Sequence, residues 1–180
     1  SKQSRGLGDV YKRQVLEITI PSNSDFIIES KSMKLYLNNF YNKPFNTNSE
    51  ISRIIKKDIE NKIKSKIKVR LIKSFSKEPT VININKLKLK SSPNKKILKF
   101  NGFRSICPVT SQPDFANIYI YSDESINLKW LKHYLISFTD HGGFHEQCIE
   151  LIFSELKNKF QINQLEVCGR FQRRGGIDIN

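Results

Sequence analysis

Apolar residues along this chain recur with two different periods. Val15, Glu17 and Thr19 alternate with Leu16, Ile18 and Ile20, a period of two that predicts a strand. Similar alternation predicts strands over 68–75, 81–89, 98–105, 117–121 and 165–171. Between them the period lengthens. Ile51, Ile54, Ile55, Ile59 and Ile63 fall at helical spacing and form the stripe of a helix that buries one face. Cys148, Leu151, Ile152, Leu156 and Phe160 repeat that stripe. Thr47, Asn48, Ser49 and Glu50 supply a capping box ahead of the first copy.

The helices belong to a degenerate internal repeat. Lys34, Tyr36, Leu37 and Phe40 open a helical stretch, and Lys132, Tyr134, Leu135 and Phe138 reproduce them at one constant offset. A strand follows each helix pair. The pattern predicts an α+β protein of two tandem modules, each a helix pair on one face of an antiparallel sheet. The first module is expected over 15–90 and the second over 91–180. Ser91, Ser92, Pro93 and Asn94 mark a linker near 90–96. Residues 1–14 carry neither period, and 8–14 resemble translated adapter sequence, so this segment is expected to be non-native. Both modules are expected to be incomplete, the first at its N-terminus and the second at its C-terminus.

Charge adds one constraint. Lysine and arginine number 31 against 17 acidic residues, a net charge of +14, which favours a phosphate-bearing partner, either nucleic acid or a phosphorylated cofactor. Many of the lysines alternate with apolar residues, as on a solvated face. The longest apolar runs are too short to span a bilayer, and no secretory pattern opens the chain. Three cysteines fit a reducing cytoplasm better than a disulfide framework.

Three stretches carry residue types suited to chemistry. In the first, Pro108 and Pro113 fix the backbone around Cys107, and Asp114 follows seven positions after the cysteine. A nucleophilic cysteine must be a thiolate, which needs a cation, an imidazole or a helix N-terminus nearby. A small buried hydrophobe is the competing role for any free cysteine. The second stretch runs from His141 through Gly142, Gly143, Phe144, His145, Glu146 and Gln147 to Cys148, at a helix start. His141, His145 and Cys148 with Cys107 are zinc-ligand types. Alternatively, Glu146 accepts N–H donors from a heterocycle while His145 orients it, or Glu146 merely caps the helix and His145 is a surface histidine. The third stretch ends in Arg173, Arg174, Gly175 and Gly176, guanidinium groups beside close-approaching backbone that suit a phosphate. No Walker or Rossmann fingerprint is present.

Taken together, four blocks resemble one family. Glu29-Ser30-Lys31-Ser32-Met33-Lys34-Leu35-Tyr36-Leu37, the run from Cys107 to Phe115, the run from Phe144 to Cys148, and the run from Arg173 to Asn180 resemble the 7-cyano-7-deazaguanine reductase (QueF) family. The cysteine block follows the Glu-Ser-Lys-Ser block, as in the two-module branch. The resemblance implies two tunnelling-fold modules and a soluble, cytoplasmic enzyme. It would use NADPH to reduce the nitrile of 7-cyano-7-deazaguanine to an aminomethyl group, on the way to the queuosine base of transfer RNA. It further implies that the Cys107 thiolate forms a covalent thioimide while Asp114 manages protons. Ile28, Glu29, Ser30, His145 and Glu146 would hold the deazapurine. Ser30, Lys31, Arg174 and Gly175 would hold NADPH, with no metal. The basic groups then meet a cofactor phosphate rather than nucleic acid, and a homodimer is expected of the full-length protein.

Two departures from the family pattern stand out: Ser111 in the cysteine loop, and Thr139 where arginine is common. Some relatives protect the nucleophile by a reversible disulfide, and the matching positions here are Cys107 and Cys148. Two rival readings remain, a zinc-dependent cyclohydrolase of the same fold and a basic RNA-binding module.

Overall fold

The computed structural model describes residues 15–40, 43–74, 77–88 and 90–172, with the backbone alone at Ser30 and Lys31. The chain divides into two compact units, Ser1–Lys77 and Glu78–Asn180.

The first unit is built on β1 (Val15–Thr19), α1 (Ser30–Asn38), α2 (Asn48–Ile63) and β2 (Lys68–Ile72). β1 and β2 pair antiparallel, from Val15 opposite Ile72 to Thr19 opposite Lys68. The predicted stripe of α2 is its buried face: Ile55, Ile59 and Ile63 pack with Ile67 against Leu16, Ile18 and Val69 of the strands and Met33, Tyr36 and Leu37 of α1. Each buried isoleucine stabilises the unit by about 1.5–3 kcal/mol. The capping box forms only in part. The Thr47 hydroxyl accepts from the Glu50 N–H at 3.2 Å, but the Glu50 carboxylate accepts from the Asn46 N–H at 3.0 Å instead of from Thr47. The far end of α2 closes on Lys64 in the left-handed region, and Glu60 then accepts the Ile67 N–H at 3.0 Å, which ties the helix to β2.

The second unit holds β3 (Val81–Asn83), β4 (Lys96–Ile106), β5 (Pro113–Ser122), α3 (Leu128–Ile136), α4 (His145–Phe160) and β6 (Leu165–Phe171). Its sheet has the order β3-β4-β5-β6, with β4, β5 and β6 antiparallel. Leu128, Leu131 and Leu135 of α3 and Cys148, Ile152 and Leu156 of α4 pack on Leu98, Phe100, Phe103, Ile118 and Ile120.

Three expectations change. The strand predicted over 81–89 stops at Asn83, because the Asn83 side chain accepts the Asn85 N–H at 3.0 Å and turns the chain into a short 3-10 helix, Ile84–Lys86. That short strand pairs parallel with β4, so the sheet is not wholly antiparallel. The segment expected to be a linker is stitched into the second unit. Ser92 accepts the Ile126 N–H at its hydroxyl (2.8 Å) and donates its own N–H to the Ile126 carbonyl (2.9 Å). Residues 78–90, read as part of the first module, therefore lie in the second unit.

One irregularity decides what faces the site. Gly102, at φ +80°, is the extra residue of a bulge that shifts the β4–β5 register between Asn101 and Phe103. Before it, Leu98 and Phe100 point to the helices. After it, that face passes to Phe103 and Ser105. The bulge thus sets Ser105 opposite Asp114 across the ladder. Among the described residues, no helix is long and apolar enough to cross a membrane.

Candidate active site

The candidate site lies where β4 turns into β5. Cys107 directly follows β4, and its loop is closed at both ends: the Cys107 N–H donates to the Gln112 carbonyl, and the Ser111 N–H to the Cys107 carbonyl, both at 2.9 Å. Ser111 takes the left-handed conformation that this tight loop needs, at φ +55°. Residues 141–143 dock alongside the end of β4. The Ile106 N–H donates to the His141 carbonyl at 2.8 Å, and the Gly143 N–H donates to the Ile106 carbonyl at 3.1 Å. Arg104 reinforces the junction by donating to the Thr139 carbonyl and to Asp140. These bonds fix the start of α4 beside the cysteine loop.

Asp114 and His145 meet in that corner. Asp114 is buried on the helix-side face of β5, and its Oδ2 lies 3.0 Å from His145 Nε2. The imidazole stacks on Phe171 of β6, with ring centroids 3.9 Å apart and planes 19° from parallel. Glu146 follows in the first turn of α4, half-buried.

The environment separates the two nearby thiols. Burial pushes the half-buried Cys107 thiol up, and so does the Asp114 charge. Hydrogen bonds from the Thr110 hydroxyl and from the N–H groups of Thr110 and Val109 outweigh both and hold the thiol below its ordinary range. Cys148 is fully buried, and burial pushes its thiol up, with the Ser105 hydroxyl beside it offsetting part of that rise. Cys107 is thus the more readily ionised of the two thiols, and Cys148 packs in the core. Both are free.

Of the residues singled out in the sequence, the structure brings together Cys107, Asp114, His145 and Glu146. In the first unit, Glu29 precedes α1, and its carboxylate accepts from the Ser32 N–H at 2.8 Å and the Ser32 hydroxyl at 3.0 Å. Ile28 is half-buried against the isoleucine core. The side chains of Ser30 and Lys31, and the whole of Arg174 and Gly175, lie outside the described residues. Among the described residues, no group of three or more His, Cys, Asp or Glu side chains is arranged to hold a metal ion. His145 is instead engaged with Asp114.

Sequence reasoning missed Thr110, Ser105 and Phe171. Only the register of the β4–β5 ladder itself sets residue 105 opposite 114. Nothing in the spacing marks Phe171 as the ring beneath His145.

The class these features define is an α+β protein with helix-backed sheets, carrying an activated cysteine beside a buried carboxylate–imidazole pair. The profile of the family described as "Nitrile reductase, 7-cyano-7-deazaguanine-reductase N-term" matches residues 5–71, and that described as "QueF-like protein" matches residues 113–180. Curated relatives match over most of the chain. The NADPH-dependent 7-cyano-7-deazaguanine reductase of Buchnera aphidicola is 39% identical over 92% of this chain and 72% of its own length. Its counterparts in Desulfotalea psychrophila and Acinetobacter baylyi are 36% and 34% identical, each over 91% of this chain and 68% of their own length. The chain belongs to the 7-cyano-7-deazaguanine reductase family, a tunnelling-fold family.

Proposed function

We propose that this protein reduces the nitrile of 7-cyano-7-deazaguanine to the aminomethyl product, consuming two NADPH, through a thioimide on Cys107. The observation that carries the mechanism is the thiol held below its ordinary range next to the buried Asp114–His145 pair. The names of the relatives carry the substrate and the cofactor.

The Cys107 sulfur attacks the nitrile carbon and forms a C–S bond as one C–N π bond breaks. Asp114, having taken the proton that the Cys107 thiol gives up, passes it to the nitrogen, and the thioimide results. Thr110 and the loop N–H groups keep the sulfur ionised until attack. His145, held on Phe171, keeps the Asp114 carboxyl oriented and lies in line to return its proton. Glu146 accepts N–H donors of the deazapurine, and Ile28, Glu29 and Ser30 are assigned to the same ligand on sequence grounds. When bound, NADPH supplies the two hydrides that complete the reduction. Ser30, Lys31, Arg174 and Gly175 are proposed to hold it. Lys31 and Arg174 carry the positive charge that phosphates attract, and Gly175 follows Arg174 in the sequence.

Incubation with 7-cyano-7-deazaguanine in the absence of NADPH tests the reading by intact mass. An adduct of substrate mass, absent in Cys107→Ala and discharged on adding NADPH, is expected. A folded protein that forms no adduct overturns the mechanism.

A further inference from the structure

The turn that carries His145 and Glu146 is anchored on both sides and exposed between. Before it, the buried Gly143 donates its N–H to the Ile106 carbonyl at 3.1 Å. A Cβ at Gly143 would come within 3.2 Å of His141 Nε2 and 3.3 Å of Cys148 Sγ, so the chain enters α4 through a packed passage. After it, Cys148 is fully buried in the core of the second unit. Between these anchors, Phe144 and Gln147 are exposed.

Phe144 stands at the N-cap of α4, in extended conformation. Phenylalanine has no side-chain oxygen to accept the N–H groups that a helix start leaves open. Gln147 caps from the other direction, because its Oε1 accepts the Phe144 N–H at 3.1 Å. That is one half of a capping box, and a phenylalanine cannot supply the other half. The bond closes a ring of chain from 144 to 147, and the two residues it encloses are His145 and Glu146.

We propose that Gln147 is a positioning residue for deazapurine binding: by tying the first turn of α4 shut, it fixes the backbone from which His145 and Glu146 project. The inference rests on the reading above that assigns those two side chains to the heterocycle. The His145 ring shows what the turn must hold. It lies over Phe171 with centroids 3.9 Å apart and planes 19° from parallel, an overlap that a frayed first turn would not keep. At an ordinary helix start, a lost cap lowers stability and nothing more. Here the same loss releases two ligand groups together.

The test uses the full chain with Gln147→Met, which keeps the length but removes the acceptor, and Gln147→Glu, which restores an acceptor at the same place. The first readout needs no ligand. Stacking on Phe171 puts the His145 ring protons over an aromatic face, where the ring current moves their NMR signals upfield. The chain has three histidines, and His145→Gln identifies the signal. In Gln147→Met that signal is expected to move back towards the position of an unstacked histidine, and in Gln147→Glu to stay with the wild type. The second readout is the Kd of 7-cyano-7-deazaguanine, measured in a Cys107→Ala background so that no adduct forms. It is expected to rise by about fivefold in Gln147→Met, as one capping bond is worth, and to recover in Gln147→Glu.

A folded Gln147→Met protein with a lower unfolding midpoint, but with the histidine signal or the Kd unmoved, overturns the proposal. Loss in Gln147→Met that Gln147→Glu does not reverse overturns it as well, because the amide N–H₂ rather than the cap then carries the effect. Failure of the underlying reading looks different. The Cys107→Ala protein with Gln147 intact then binds no heterocycle although the histidine signal still follows Gln147, and the inference falls with the reading.

Discussion

Asp114 and His145 sit 3.0 Å apart although they lie 31 positions apart in the chain, one in the second position of β5 and the other in the first position of α4. The contact depends on the docking of 141–143 along the end of β4, which delivers the helix start to the cysteine loop. On the proposed mechanism it joins the residue that passes the proton to the one that orients it. Asp114→Asn keeps the size and one acceptor oxygen but removes the acid. Adduct formation is expected to slow by about 10²–10⁴-fold, the usual contribution of a positioned acid, with the circular dichroism spectrum unchanged. Stopped-flow absorbance of the adduct checks it, and a rate within a few-fold of wild type would remove Asp114 from the proton path.

Thr110 governs the nucleophile in a way that can be read without substrate. Its hydroxyl is the leading donor that stabilises the Cys107 thiolate against burial. The sign follows directly: the native thiol ionises below its ordinary range, so alkylation rises at lower pH than for a free cysteine. Thr110→Val removes a donor to the charged form and must move ionisation upward. The midpoint of the iodoacetamide rate profile for Cys107 is expected to rise by about one pH unit, slowing alkylation at pH 7 by about tenfold. Subtracting the Cys107→Ala protein isolates the signal from Cys168, and an unshifted midpoint would mean that the loop N–H groups suffice alone.

Much of this fold was legible in the sequence because its signals are local. The isoleucine stripe of α2 and the alternation of β6 each reflect one element burying one face, and β6 came out at Leu165–Phe171 as read. The failures are non-local. Alternation over 81–89 could not reveal that Asn83 would cap its own turn and end the strand. Ser91 to Asn94 have linker composition, yet Ser92 uses its polar groups to hold Ile126. In the site, Cys107, Asp114 and His145 were visible as residue types in distinctive runs. Ser105 and Thr110 were not, because a serine or threonine acquires meaning only from what lies across the ladder or around the loop.

Thr47 offers a test of the first unit that is independent of the chemistry. Its side chain satisfies one of the N–H groups left open at the start of α2, and the Glu50 carboxylate meets the preceding turn at Asn46. Because α2 carries three of the four buried isoleucines of that core, loosening its first turn should be felt through the unit. Thr47→Ala is expected to cost about 1 kcal/mol, read as a lower urea midpoint, while Cys107 alkylation stays unchanged. An unaltered midpoint would show that the Glu50 bond holds the turn by itself.

Gly169 ties packing to chemistry more closely than any other described glycine. A Cβ there would lie 2.5 Å from Ile149 Cδ1 and 2.9 Å from Phe171 Cε2, so neither side chain could stay where it is. Ile149 can swing its terminal methyl aside, but the Phe171 ring is the surface on which His145 stacks. Gly169→Ala is therefore expected to destabilise the protein by about 1–3 kcal/mol and also to slow adduct formation. The two effects should separate in a double variant. Gly169→Ala with Ile149→Val removes the atom of the closest approach, so most of the lost stability should return. The clash with Phe171 remains, so the imidazole stays displaced and the rate stays low. Urea midpoints and adduct rates for the two proteins decide the matter. If stability and rate recover together, Ile149 alone carried the strain, and the Phe171 ring tolerates movement without disturbing His145.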